Sequence, residues 1–334
     1  MHAIPPLTVL TLACAPYDRV RPLFDGRVAV EGVQIVPVPI ASEQSFPRAV
    51  QRAEFDVSEL SLSSHLLQLS RGEAEYVALP VFVSRAFRHG AIYLRRDAGI
   101  TGPRDLEGRL VGIPEYQMTL GLWVRGILAE EHGVEVNAIR YRTAGTNAAG
   151  RRERLPLELP AGMDVSALAE GDTLNAALLR GELDGIFSPT PPDAFTTGNP
   201  GVVRLFPDVK AAEIAFHRRT GFHPIMHVVG IRAAVLARDP GLARRLYEGF
   251  AEAKRVAVAE WDKALRASTL PAMIPWLPQA WEETRAVLGA DPWTYGVSAN
   301  RAELEAVLRW SESQHLARRR LSIEEVFAPG TLDT

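Results

Sequence analysis

The feature that most limits the fold of this chain is an alternation. Short apolar runs with strand character are followed, repeatedly, by segments with helical spacing. Residues 7–13, 33–38, 56–60, 76–83 and 91–95 read as strands. Helices are expected over residues 42–52 and from a capping Ser63 or Ser64 to Ser70. A strand at 109–113, a helix at 118–132 closed by Gly133 and a strand at 139–143 follow. Residues 144–171, rich in glycine, proline and charge, read as loop. Residues 172–180 are helical, 183–188 and 202–206 extended, and 210–218 helical again. Residues 224–232 (PIMHVVGIR) form a last long strand, and helices at 240–267 and 301–315 end the chain. Strands and helices in this order make an α/β protein.

A chain of 334 residues exceeds what one small core organises, so two domains are expected. The pattern places a first crossing near residues 94–102 and a return near 224–232. Domain 1 would hold residues 1–97 and 226–334, with the C-terminal helices packed on it, and domain 2 residues 98–225. Two crossings make a hinged cleft, the usual place for a small ligand.

Composition removes whole function classes. A net charge of −3 gives no footprint for nucleic acid. No run approaches the ~20 apolar residues of a membrane span. Only His2 precedes the apolar run 7–13, so that run lacks the cationic flank of a secretion signal and reads as a strand. A cytoplasmic protein is the expectation, and the single cysteine, Cys14, rules out a disulfide framework. Of the 37 basic residues only Lys210, Lys254 and Lys263 are lysines, so the chain is equipped to hold carboxylates rather than for amine catalysis. There is no phosphate loop, dinucleotide fingerprint, nucleophile elbow or HExxH helix. No cofactor and no metal are expected.

Four stretches carry chemistry. Residues 59–65 (ELSLSSH) end a strand and start a helix, where Ser61 and Ser63 can face an anion or simply cap the helix. Residues 80–89 (PVFVSRAFRH) bring Arg85, Arg88 and His89 together within an apolar setting. Residues 114–119 (PEYQMT) set Glu115, Tyr116 and Thr119 at a helix N-terminus, whose dipole favours anions. Residues 217–227 (HRRTGFHPIMH) offer His217, His223 and His227, and Pro224 interrupts any helical zinc spacing. In a regular strand Met226 and Val228 would face away from His227.

At these stretches the sequence resembles the 4,5-dihydroxyphthalate decarboxylase family. YDRVRP (17–22), FDVSELSLSS (55–64), PVFVSRAFRH (80–89) and VGIPEYQMT (111–119) carry the resemblance. WVRGIL (123–128), FHPIMH (222–227) and WTYGV (293–297) with Asn300 and Arg301 continue it along nearly the whole chain. The family's pattern is left at residues 143–151, at Thr190 where an arginine is expected, and at His65 and His217 where tyrosines are expected.

The resemblance implies a two-domain, type II periplasmic-binding-protein-like fold. It also implies cofactor-independent decarboxylation of a hydroxylated aromatic acid, 4,5-dihydroxyphthalate to protocatechuate and CO2, in phthalate degradation. On that basis Arg85 and Arg88, with Arg19 or Arg125, are expected to anchor carboxylates. His89 is the first choice for proton donor, with His223 and His227 behind it, and Glu115 a base. Ser61, Ser63, Tyr116, Thr119 and Thr146 would contact the substrate. The competing class is a non-catalytic solute-binding protein for a small carboxylate, because fold alone does not separate the two. The C-terminal helices also offer a face for a homo-oligomer.

Overall fold

The computed structural model of the chain describes residues 7–267, 270 and 272–334. His2 lies outside the described residues. The strands, in chain order, are β1 (Thr8–Cys14), β2 (Val33–Pro39), β3 (Val57–Ser61), β4 (Tyr76–Arg85), β5 (Ile92–Arg95) and β6 (Leu110–Ile113). Then come β7 (Arg140–Thr143), β8 (Val165–Ala167), β9 (Gly185–Phe187), β10 (Val202–Arg204) and β11 (Ile225–Arg232). The longer helices are α1 (Ser42–Arg52), α2 (Leu62–Arg71), α3 (Thr119–His132) and α4 (Leu174–Leu179). They continue with α5 (Val209–Thr220), α6 (Leu242–Leu265), α7 (Leu277–Leu288) and α8 (Arg301–Ser313).

These strands form two sheets, ordered β2-β1-β3-β11-β4 and β10-β5-β9-β6-β7-β8. In the first, β1 is parallel to β2 and β3, and the late strand β11 inserts antiparallel between β3 and β4. The second is parallel from β9 through β8, with β5 and β10 added antiparallel. Helices follow parallel strands because a parallel crossover needs a long connection.

The first crossing comes earlier than the expected 94–102. Strand β5 satisfies its backbone against β9 and β10, so the chain leaves the first sheet between Arg85 and Ile92. It re-enters that sheet at Ile225. The segment 144–171 read as loop contains β8, whose three residues are too short to show an alternating pattern. Helix α3 ends where expected, with Gly133 at φ 64°, a left-handed conformation that favours glycine.

The C-terminal helices serve both lobes. Helix α6 packs on β4 of the first sheet, whereas α8 lies against α2 and α3. One apolar core runs through residues of both sheets. No helix among the described residues is long and apolar enough to cross a membrane.

The α3/α8 contact depends on one missing side chain. A Cβ at Gly126 would stand 2.4 Å from ring atoms of Trp310, which is 4% exposed and meets Trp123 edge to face at 5.1 Å. In an open helix Gly→Ala gains about 1 kcal/mol. Here overpacking, at about 1–3 kcal/mol, outweighs that gain. Gly126→Ala should therefore lower Tm by a few degrees in a thermal melt, and an unchanged or raised Tm would show that the ring yields freely.

Candidate active site

Strand β3 is unusual because all five of its residues are buried and three of them, Ser58, Glu59 and Ser61, are polar. A buried carboxylate needs partners, and Glu59 has them. It accepts hydrogen bonds from the Ala15 backbone N–H at 3.0 Å, the Tyr17 hydroxyl at 2.8 Å and His227 Nδ1 at 2.6 Å. Burial raises the Glu59 pKa, but the His227 contact and the other donors outweigh it and hold the carboxyl below its ordinary range. Burial and the Glu59 charge push the Tyr17 hydroxyl up, so it stays a donor.

With Nδ1 committed to Glu59, His227 presents Nε2 to a cavity of about 140 Å³ at the junction of the lobes. That is the size of a cavity that takes one benzene ring. Phe46 and Ser61 line it from the first lobe, and Met118 and Thr119 from the start of α3. Arg88 comes from the crossing, and Arg151 and Arg154 from the segment before β8. Met226 and His227 both face this cavity, contrary to the strict alternation expected of a strand. The cause is a bulge: β11 shifts register against β4 between Ile225 and His227, and again between His227 and Val229.

Hydroxyls close the floor. Ser61 Oγ lies 3.0 Å from Thr119 Oγ1, which also accepts the Ser63 backbone N–H at 3.1 Å. A side chain of the second lobe thus caps helix α2 of the first. Arg88 is a cation of this cavity without an ion-pair partner among the described residues. Its Nε contacts Met226 Sδ at 3.0 Å, and no carboxylate among the described residues pairs with it. Burial lowers its pKa to about 10, which leaves it charged at neutral pH. No group of three metal-ligating side chains occurs among the described residues.

The structure brings together four of the residues named from sequence: Ser61, Arg88, Thr119 and His227. The others lie elsewhere, each for a stated reason. His89 is enclosed by Phe206 and Phe216 at 5.2 and 5.3 Å, and burial lowers its pKa to about 4. His223 Nδ1 donates to Pro292 O at 3.1 Å, its ring stacks on Phe87 at 5.0 Å, and burial lowers its pKa to about 3. Neither faces the cavity. Arg85 is a buried tie to the C-terminal region, bonded to Thr294 O at 2.7 Å and paired with Glu303 at 3.4 Å. Arg19 donates to Val83 O at 2.8 Å between the Tyr17 and Trp293 rings. Arg125 holds Gln314 Oε1 at 2.7 Å and lies over Tyr116, whose hydroxyl donates to Gln314 O. Thr146 pairs with Ser188 at 2.7 Å, and Ser63 offers the cavity floor only its backbone N–H. Glu115 stands behind the cavity, bonded to Arg151 and Arg154 rather than placed as a base. Sequence reasoning missed Phe46, Arg151, Arg154 and the role of Glu59. A charged residue inside the β3 strand was the one available signal.

Comparison with known proteins follows the same line. A 4,5-dihydroxyphthalate decarboxylase of Comamonas testosteroni is 37% identical over 325 residues, 97% of this chain and 98% of that protein. One from Pseudomonas putida is 40% identical over 213 residues, 64% of this chain and 83% of that protein. No family model matches. Among solved structures, the aliphatic sulphonate binding protein SsuA of Escherichia coli aligns over 98% of this chain and 99% of its own, with TM-score 0.53 and 11% identity. A sulfonate-binding SsuA of Methylobacillus flagellatus aligns over 98% and 93%, with TM-score 0.54 and 12% identity. The fold is that of the type II periplasmic binding proteins.

The buried histidines give the protein an acid weakness. A histidine whose pKa is lowered in the folded state contributes stability above its unfolded pKa, near 6.5, and loses it as pH falls toward the folded value. For His89, with its folded value of about 4, the loss between pH 7 and pH 5 is about 2 kcal/mol. Urea unfolding at the two pH values should show His89→Phe losing less stability than the parent by about that amount. Equal losses in both proteins would contradict a neutral, buried His89.

Proposed function

The chain belongs to the 4,5-dihydroxyphthalate decarboxylase family, and from that premise we propose that it decarboxylates a hydroxylated aromatic carboxylic acid in the cavity beside His227. The substrate to test first is 4,5-dihydroxyphthalate, with protocatechuate and CO2 as products. The observation that carries the reading is one arrangement: Arg88 without an anionic partner, in the same ring-sized cavity as an imidazole held by a buried carboxylate.

The chemistry follows from that arrangement. Arg88 binds a substrate carboxylate by charge-assisted hydrogen bonds. A ring hydroxyl para to the departing carboxylate pushes electron density to the carbon that carries it. Protonated His227 delivers its Nε2 proton to that carbon. The bond to the carboxylate then breaks, its electron pair restores the aromatic ring, and CO2 leaves. One proton has moved from imidazole to carbon, and solvent returns it to His227. The Glu59 carboxylate keeps the other proton on Nδ1 and stabilises the imidazolium, while Ser61 and Thr119 offer hydroxyls to the ring substituents.

The test is CO2 release and product formation from 4,5-dihydroxyphthalate. The parent should turn over. His227→Ala should lose roughly 10²–10⁴-fold in kcat, the usual contribution of a placed general acid. Arg88→Ala should act mainly on KM, raising it about tenfold or more. His89→Ala should retain activity. Full activity in His227→Ala would remove this mechanism. Binding without CO2 release would move the chain to the solute-binding class.

A further inference from the structure

The chemistry above leaves one buried ion pair unused. Glu303, in the first turn of α8, stands 3.4 Å from Arg85, the last residue of β4. Both side chains are buried, and neither lines the cavity. What they hold is backbone. The N–H groups of His223 and Ile225 donate to the two Glu303 carboxylate oxygens at 3.2 and 2.7 Å. His223 O accepts from Arg85 Nη1, and Pro224 O from the Ala86 N–H at 3.0 Å. Ile225 O accepts from Trp123 Nε1 of α3 at 2.9 Å. Pro224 has no N–H to place. Every backbone donor and acceptor of residues 223–225 thus has a partner, as a buried segment requires.

Two of these side chains stand in for a strand that has run out. Strand β3 ends at Ser61, which pairs with His227. Ile225, two residues earlier, has no β3 residue beside it, so a carboxylate from α8 and an indole from α3 take its N–H and C=O. On the other side Ile225 pairs with Arg85 and His227 with Ser84. Three residues of β11 therefore span two of β4, and Met226 is the extra one. Without that extra residue, strand alternation would send Met226 and His227 to opposite faces. The hydrophobic pattern does not fix where such a bulge falls, but a carboxylate gripping the backbone on its N-terminal side does. Arg85 is itself anchored, by Thr294 O at 2.7 Å and by Asn300 Oδ1, so the grip does not slide.

We infer that Glu303 is a positioning residue: by holding the backbone of His223 and Ile225 beside Arg85 it fixes the bulge at Met226 and so turns the His227 imidazole into the cavity with Arg88. The inference rests on His227 as the proton donor and adds the residue, outside the cavity, that sets its place.

The experiment pairs kinetics with a proton spectrum. Glu303→Leu removes both acceptors and should lose about 10²-fold in kcat on 4,5-dihydroxyphthalate, the usual effect of a misplaced catalytic group. Its KM should move less than about threefold, because Arg88 remains. Glu303→Gln keeps one acceptor oxygen and should recover part of the loss. Leu308→Ala, on the same helix, should lower Tm by leaving a cavity while kcat stays at the parent's value. In the spectrum, the short Nδ1–H bond from His227 to Glu59 should give the parent a downfield proton, identified by its loss in His227→Ala. That proton should persist in Leu308→Ala and broaden or vanish in Glu303→Leu. A Glu303→Leu protein with the parent's resonance, or with the parent's kcat, would overturn the inference. A parent that releases no CO2, while its downfield proton depends on Glu303, keeps the positioning role and loses the decarboxylase.

Discussion

A carboxylate without exposed surface, Glu59, organises one end of this cleft. Burying a charge is unfavourable by several kcal/mol unless hydrogen bonds replace water. The donors that meet this demand come from three directions: the segment after β1, the side chain of Tyr17, and His227 on β11. Adjacent strands are thereby held in one geometry around a single charge. The same interaction fixes which imidazole nitrogen turns to the cavity. The bulge in β11 completes the arrangement, because it lets neighbouring residues face one side.

The cavity itself is assembled from both lobes. Thr119 reaches across to Ser61 and Ser63, and Trp123 Nε1 donates to Ile225 O at 2.9 Å where the chain re-enters the first sheet. Helix α8 lies against α2 and α3. A site built this way needs the lobes in register before its hydroxyls, imidazole and guanidiniums converge. The fold supplies the register of the two lobes, and a few side chains at their junction supply the polar groups of the cavity.

The fold was legible in the sequence because periodicity reports it directly. Strand and helix runs fell close to their observed bounds, and the late strand at residues 224–232 marked the return to the first sheet. The sheet to which β5 belongs was not legible, since an apolar run does not say which edge it will join. The site was less readable. Arg85 and Arg88 are three residues apart, yet one ties down the C-terminal region and the other faces the cavity. His89 and His227 are both histidines in apolar surroundings, and only the partner of each ring separates a packed side chain from a poised one. Arg151 and Arg154 sat in a segment without pattern, and they gain meaning only because Leu155 seats that segment on the other lobe.

In the proposed reaction the ligand lies between Arg88 and His227. A crystal structure with the product acid bound would test it most directly. A carboxylate is expected at hydrogen-bond distance from a guanidinium of the cavity, with a ring carbon within about 3.5 Å of His227 Nε2. A ring bound elsewhere, for instance among Trp261, Trp281 and Trp293 beside α6, with the His227 cavity left empty, would contradict it.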